Sequence, residues 1–359
     1  MVASKNIEEY LKEKGILVNA KLKEYLGDEK SPQYLKRILG RTIYKYDEEV
    51  IDKAILGPIW HLLELGGKRL RPILTLAVMD SLEVNSSDYL EFAVVPEIVH
   101  NATIIHDDIE DNSDIRRGRE TLHTKYGIDV ALNLGDFMFF FPMSAMLDSE
   151  KINNDKKIRL QRMYSRHMLR LGVGQGIDIA WHNQFVDISK RTEDNYLQLA
   201  FDKTGALTSM AAEIGAIVAN ADDDTVELFG RFGASLGVAF QIKDDILNII
   251  DSGVSENKGV IGEDITEGKV TLLVIHTINS AGEEDKRRII ELLKMHTKDR
   301  ELINEAIGII KKYKSIKYAE NIALNTINES WKNLSSRLKD SPAKERLKQI
   351  SDFVVNRRI

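Results

Sequence analysis

The sequence predicts an all-α protein, on three observations. Proline is rare, 6 in 359 residues, so few points force a helix to break. Strand-like alternation of apolar and polar residues is nearly absent, whereas apolar residues recur at three- and four-residue spacing along most of the chain. Hydrophobic residues make up 43% of the total, enough for a sizeable core.

Taken in order, residues 1–45 are expected to form a helical N-terminal extension, and 46–359 one large helical domain. Apolar stripes predict helices over 48–65, 89–110, 130–147, 156–171, 194–219 and 225–250. The last long stripe runs through Ala319, Ile322, Ala323, Ile327, Trp331 and Leu334, with Lys, Asn and Glu on the other side. Breaks fall at Gly66-Gly67, at Arg116–Thr121, at Asn153–Asp155, in the Gly253–Gly262 loop and at Ser341-Pro342.

Composition excludes several classes. Lys plus Arg number 50 against 56 Asp plus Glu, a net charge of -6, so there is no global basic field for nucleic acid. The absence of Cys removes disulfides, thiolate nucleophiles and cysteine zinc sites, and fits a reducing cytoplasm. No uncharged apolar run reaches membrane-spanning length, and the stretch Phe137–Leu147 is too short, so no stable membrane insertion is expected. Gly172-Val-Gly-Gln-Gly176 has glycines but no preceding strand, so it reads as a kink or close-packing point in a helix. His106-Asp107-Asp108 lacks the further His and Asp ligands of an HD phosphohydrolase.

Two acidic clusters carry the chemistry. In His100–Asp111, Asp107 and Asp111 stand one helical turn apart with Asp108 beside them. Like charges repel, and the negative end of the helix dipole adds to the penalty. A hard divalent cation offsets both, and Mg2+ prefers carboxylate oxygens. An acidic helix end is more ordinarily just solvated, but a second cluster alters that balance. Gln241, Asp244, Asp245 and Asn248 also follow an apolar helical run, so two clusters facing across a bundle would hold metal ions and a polyphosphate. Basic residues sit beside both: Lys68, Arg69 and Arg71 after Gly66-Gly67, Arg116-Arg117, Lys203, Lys258 and Lys269.

These motifs, in this order, resemble the trans-isoprenyl diphosphate synthase (polyprenyl synthetase) family: GGKRLRP, HNATIIHDDIED with RRG, GQGID, FDKTGAL, FQIKDDILN and EDITEGKVTL, over roughly 56–277. Ala102-Thr103 ahead of the first acids, with Asn248 ending the second motif, look most like geranylgeranyl diphosphate synthases, notably the eukaryotic-type branch. The resemblance implies the isoprenoid synthase type I fold, a single large bundle around a central cavity, and a homodimer. It implies that Lys68, Arg71, His100 and Arg117 hold the diphosphate of isopentenyl diphosphate. Asp107, Asp108, Asp111, Asp244 and Asp245 would bind about three Mg2+ ions bridging to an allylic diphosphate (dimethylallyl, geranyl or farnesyl). Arg116, Lys203 and Lys258 would contact that allylic diphosphate, and Thr204 and Gln241 would turn oxygens toward the allylic cation. Gln175 and Asp178 occupy the family's GQ-and-acid position. Two departures stand out: Asn248 replaces an Asp, and the Lys258–Asp264 loop is one residue longer.

A class I terpene cyclase would show a different second motif, and a non-catalytic prenyl synthase subunit would lack intact aspartates. Chain length is expected to be gated by the helix preceding Asp107, where Val99, Ala102 and Thr103 face the tail. One turn rises ~5.4 Å, close to one isoprene unit. Small residues at 102 and 103 predict passage beyond fifteen carbons, with a floor at deeper Ile98 and Val99 and at Phe137, Phe139, Phe140 and Phe141. The expected product is geranylgeranyl diphosphate, with longer-chain or farnesyl products as alternatives.

Overall fold

The computed structural model describes residues 7–26, 39–41, 43–250 and 261–356. Among them the only strands are β1 (Ile115–Arg116) and β2 (Arg119–Glu120), a minimal antiparallel pair with Ile115 opposite Glu120. Helices of seven residues or more are α1 (Ile7–Leu26), α2 (Gly57–Leu63), α3 (Leu70–Ser81), α4 (Val95–Glu110), α5 (Ile128–Asp148), α6 (Asn154–His182) and α7 (Glu193–Ala200). They continue as α8 (Ala206–Val218), α9 (Asp223–Ile249), α10 (Leu272–Ser280), α11 (Glu283–Lys294), α12 (Arg300–Lys312), α13 (Ser315–Ser335) and α14 (Pro342–Val355).

Two expected helices are interrupted by π turns. The first, Asp52–Leu56, precedes Pro58. A proline donates no N–H and crowds the carbonyl four residues back, so the helix widens ahead of it. The second, Phe201–Gly205, lies within the expected 194–219 helix and contains Lys203 and Thr204. In contrast, α6 runs unbroken through Gly172–Gly176, where Gly174 allows close packing instead of a kink.

The chain divides into two compact units, with α6, α8, α9 and α14 each contributing to both. The first takes the described residues of Met1–Ser165, Met210–Phe229 and Leu338–Leu347. Its core gathers Val18, Leu22 and Leu26 of α1 with Ile59 and Trp60 of α2, Ile98, Ala102 and Ile105 of α4, and Met138 and Phe141 of α5. Phe137 stacks on Phe141, and Tyr25 of α1 meets Phe141 edge-on at 5.3 Å. Helix α5 is 21 residues long and apolar enough to cross a membrane by length and composition, but its inner face packs along α4. The second unit takes the described residues of Arg166–Ser209, Gly230–Arg337 and Lys348–Ile359. There α13 buries Ala319, Ala323, Ile327 and Leu334 of its expected stripe, while Ile322 and Trp331 are half-buried.

Candidate active site

In the first unit, α4 buries Ile98, Ala102 and Ile105 and leaves His100, Thr103, His106 and Asp107 half-exposed on another face. Val99, like Ala102, is fully buried. Thr103 lies one turn before Asp107 on its face, whereas Ala102 is turned ~140° away, toward the core. Asp111 caps the helix, its N–H donating to the Asp107 carbonyl at 2.8 Å, and its side chain is exposed. Asp108 is different. It is buried, and Arg116 Nε donates to its Oδ1 at 2.6 Å. Burial pushes the Asp108 carboxyl upward and the Arg116 cation opposes the shift. Arg116 reaches it because Arg117 and Gly118, both at positive φ, turn β1 back into β2.

A cationic cradle adjoins these acids. Gly66 and Gly67 adopt φ of +78° and +141°, conformations open to glycine, and Arg117 donates to the Gly66 carbonyl. Lys68 is exposed and Arg71 half-buried at the start of α3. Burial, then Arg71, Arg117, Arg116 and Arg69, hold His100 well below its ordinary 6.5, so the imidazole is neutral. Arg71 and Arg117 beside a neutral ring, with exposed Lys68, make a site for a multiply charged anion.

In the second unit, Gly174 lets α6 approach the Phe201–Gly205 π turn: a Cβ there would stand 2.6 Å from the Lys203 nitrogen. The approach pairs Lys203 Nζ with Asp178 Oδ2 at 2.5 Å. Gln175 lies one turn before Asp178 on α6. A hydrogen-bonded line then runs from Thr204 to Asp245. The Thr204 hydroxyl donates to Gln241 Oε1 at 2.9 Å, and Gln241 Nε2 donates to Asp245 Oδ1 at 2.9 Å. Tyr196 donates its hydroxyl to the other Asp245 oxygen at 2.6 Å. Burial, and then the neighbouring Asp264 charge, push Asp245 up to about 8. Burial likewise lifts Asp264 to about 6, against the pull of Lys269. These groups line a cavity of about 110 Å³ with Asp178, Lys203 and Gln241.

Half-buried Asp244 precedes Asp245 on α9. Asn248 turns its side-chain oxygen to the Asp264 N–H at 3.1 Å, and its carbonyl accepts from Gly262 at 2.9 Å. Asn248 thus holds the Gly262–Asp264 segment through its side-chain and backbone oxygens. Lys258 lies outside the described residues. Among the described residues no three His, Asp or Glu converge as a preformed metal site.

Three contributors escaped sequence reasoning: Arg69, Tyr196 and Asp264. Arg69 and Asp264 stood inside recognised motifs, but nothing in spacing distinguishes a buried anchor from its exposed neighbours. For Tyr196 no signal existed.

The polyprenyl synthetase family model matches residues 52–310. The chain belongs to this family. As a polyprenyl synthetase it is 34% identical over 303 residues to the geranylgeranyl diphosphate synthase of Sulfolobus acidocaldarius, covering 83% of this chain and 89% of the relative. It is 33% identical over 309 residues to the geranylfarnesyl diphosphate synthase of Aeropyrum pernix, covering 84% and 93%. The crystal structure of geranylgeranyl pyrophosphate synthetase from Pyrococcus horikoshii superposes with a TM-score of 0.81 at 30% identity, covering 98% of each chain. The fold is the all-α isoprenoid synthase type I fold, and the enzyme is a prenyltransferase. None of these three relatives is eukaryotic, so they lend nothing to the eukaryotic-type affinity expected from the motifs.

Proposed function

We propose that this prenyltransferase condenses isopentenyl diphosphate with allylic diphosphates, head to tail (1'-4), giving mainly geranylgeranyl diphosphate and releasing diphosphate. One observation carries the reading: helix α4 bears two anion chemistries side by side, the guanidinium-ringed His100 and the Asp107/Asp111 pair. Lys68, Arg71, His100 and Arg117 bind the diphosphate of isopentenyl diphosphate, the neutral imidazole as a hydrogen-bond donor. Arg116, Lys203 and Lys258 contact the allylic diphosphate, Lys203 exchanging its Asp178 partner for it. Their positive charge stabilises the leaving diphosphate as the allylic carbon–oxygen bond breaks.

The donor set suits Mg2+. Asp107, Asp108, Asp111, Asp244 and Asp245 offer hard oxygens, and Asp264 adds another beside Asp245. Burial lifts both Asp245 and Asp264, the Asp264 charge adding to the first and the Glu267 and Glu263 charges to the second, a penalty that a bound dication would offset. These carboxylates would hold about three ions per site, and the ions would neutralise charge on the leaving group. Thr204 spends its hydrogen on Gln241, which leaves its oxygen lone pairs for the allylic cation. Apolar walls must exclude water from that cation. No side chain is assigned as base; the departing diphosphate accepts the proton.

We also propose a homodimer, because α5 leaves Ile128, Leu132 and Phe140 exposed along its outer side. Light scattering on the purified chain checks this.

The test of function is incubation with Mg2+, isopentenyl diphosphate and each allylic starter in turn, followed by dephosphorylation and chromatography. A twenty-carbon alcohol from all three starters is expected. The geranylfarnesyl relative makes a twenty-five-carbon product the second reading, which the same chromatogram would reveal.

A further inference from the structure

We propose that Arg69 is a positioning residue for the isopentenyl diphosphate site, and that α1 takes part in this site through Asn19. The inference rests on the reading that the Gly66–Arg71 segment cradles a diphosphate. Three cations stand within four residues, and they are used differently. Lys68 is exposed and Arg71 half-buried, whereas Arg69 is only 6% exposed.

Every nitrogen of the Arg69 guanidinium is engaged, each by a different segment. Nη1 donates to Glu97 Oε1 of α4 at 2.7 Å, Nη2 to the Leu63 carbonyl ending α2 at 3.0 Å, and Nε to Asn19 Oδ1 of α1 at 2.9 Å. Glu97 is itself buried, one turn before His100. The backbone at Arg69 has φ +50°, a left-handed conformation that residues with a Cβ seldom adopt. Such a conformation persists where its surroundings over-determine it, and three anchors on three segments do so here. The left-handed step sets Arg69 on the inside while its neighbours Lys68 and Arg71 stay at the surface of the loop. A lysine would supply one point charge and not the planar fork this arrangement uses. Glu97 also pairs with the one cation withheld from the anion, so direct contact with the diphosphate falls to Lys68, Arg71 and Arg117.

The experiment is calorimetric binding of isopentenyl diphosphate, paired with the KM for the allylic substrate and thermal unfolding. Replacing a buried ion pair by apolar residues of similar volume commonly leaves a fold stable. An Arg69→Met, Glu97→Met double variant should therefore keep its Tm within a few degrees. Its Kd for isopentenyl diphosphate should rise about tenfold or more, and its allylic KM by less than about threefold, since a misplaced loop forfeits charge-assisted hydrogen bonds to one anion and not to the other. Asn19→Leu should give a smaller rise, about threefold, with the same selectivity. Leu11→Ala, on α1 but away from these hydrogen bonds, should lower Tm and leave Kd unchanged. Wild-type Kd in Asn19→Leu would overturn the proposal even if the double variant failed to fold. Equal weakening of both substrates, or a raised Kd in Leu11→Ala, would overturn it as well. Tight binding of isopentenyl diphosphate without any turnover would count against the condensation reading alone.

Discussion

Asp107 and Asp108 are adjacent in sequence and opposite in circumstance. Asp107 is half-exposed on the face shared with Thr103, while Asp108 is buried and bound by Arg116. Carboxylates that stabilise charge only as the leaving group departs govern turnover more than folding. Asp107→Ala or Asp244→Ala should therefore lower kcat roughly 10²-fold or more with little change in the unfolding midpoint. Near-normal rates in both would remove the acids from the chemistry. On the proposed reading, the cations divide by substrate. Arg117→Ala should raise the KM for isopentenyl diphosphate about tenfold or more, from the ~1.5–3 kcal/mol of a charge-assisted hydrogen bond. Lys203→Ala should act on the allylic KM instead, and weakened binding of the same substrate in both variants would contradict this division. Acids and cations of this kind were legible because they cluster within a few positions. Arg69 and Tyr196 were not, because their partners lie 28 and 49 residues away.

At the scale of elements, helix existence was the legible part. The stripes expected over 130–147 and 225–250 became α5 and α9 with shifts of one or two residues. Periodicity did not reveal the π turns, since a single widened turn leaves the apolar spacing on either side intact. Pro58 marked the first in retrospect, but nothing marked the second, whose form depends on Gly174 of another helix. On the proposed reading, helix α4 is also the wall along which chain length is read. Ala102 is fully buried in the cluster that holds Ile98, Phe141 and the partly buried Phe137 and Phe139, whereas Phe140, expected as part of the floor, is exposed. Ala102→Phe should shorten the main product to farnesyl diphosphate while condensation continues. Overpacking of this kind commonly destabilises by ~1–3 kcal/mol, so the variant's Tm is measured alongside its products. An unchanged product spectrum in a folded variant would mean that the tail does not pass residue 102.

For the molecule as a whole, the buried acids of the second unit link stability to pH and to metal. The folded chain holds protons on Asp264 and Asp245 up to about 6 and about 8, where an unfolded chain has released them near 3.8. Because the folded state then binds more protons, its stability is greatest below that unfolded value and declines as pH rises through 6 to 8. The metal-free Tm should accordingly fall between pH 5 and pH 8, and Asp245→Asn should flatten the fall. Mg2+ should raise Tm more at pH 8 than at pH 6, since ions bind the deprotonated acids. An equal slope in Asp245→Asn would place the pH dependence elsewhere. Composition had predicted an acidic, cysteine-free helical chain, but not that burial raises two of its carboxyls, because burial is a property of the fold. The most direct measurement of function is transfer of label from radioactive isopentenyl diphosphate, with farnesyl diphosphate as the acceptor, in the presence of Mg2+ or a chelator. The predicted result is Mg2+-dependent label in a twenty-carbon alcohol after dephosphorylation, with one diphosphate released per condensation. Label remaining entirely in isopentenyl diphosphate, with Mg2+ and any of the three starters present, would contradict it.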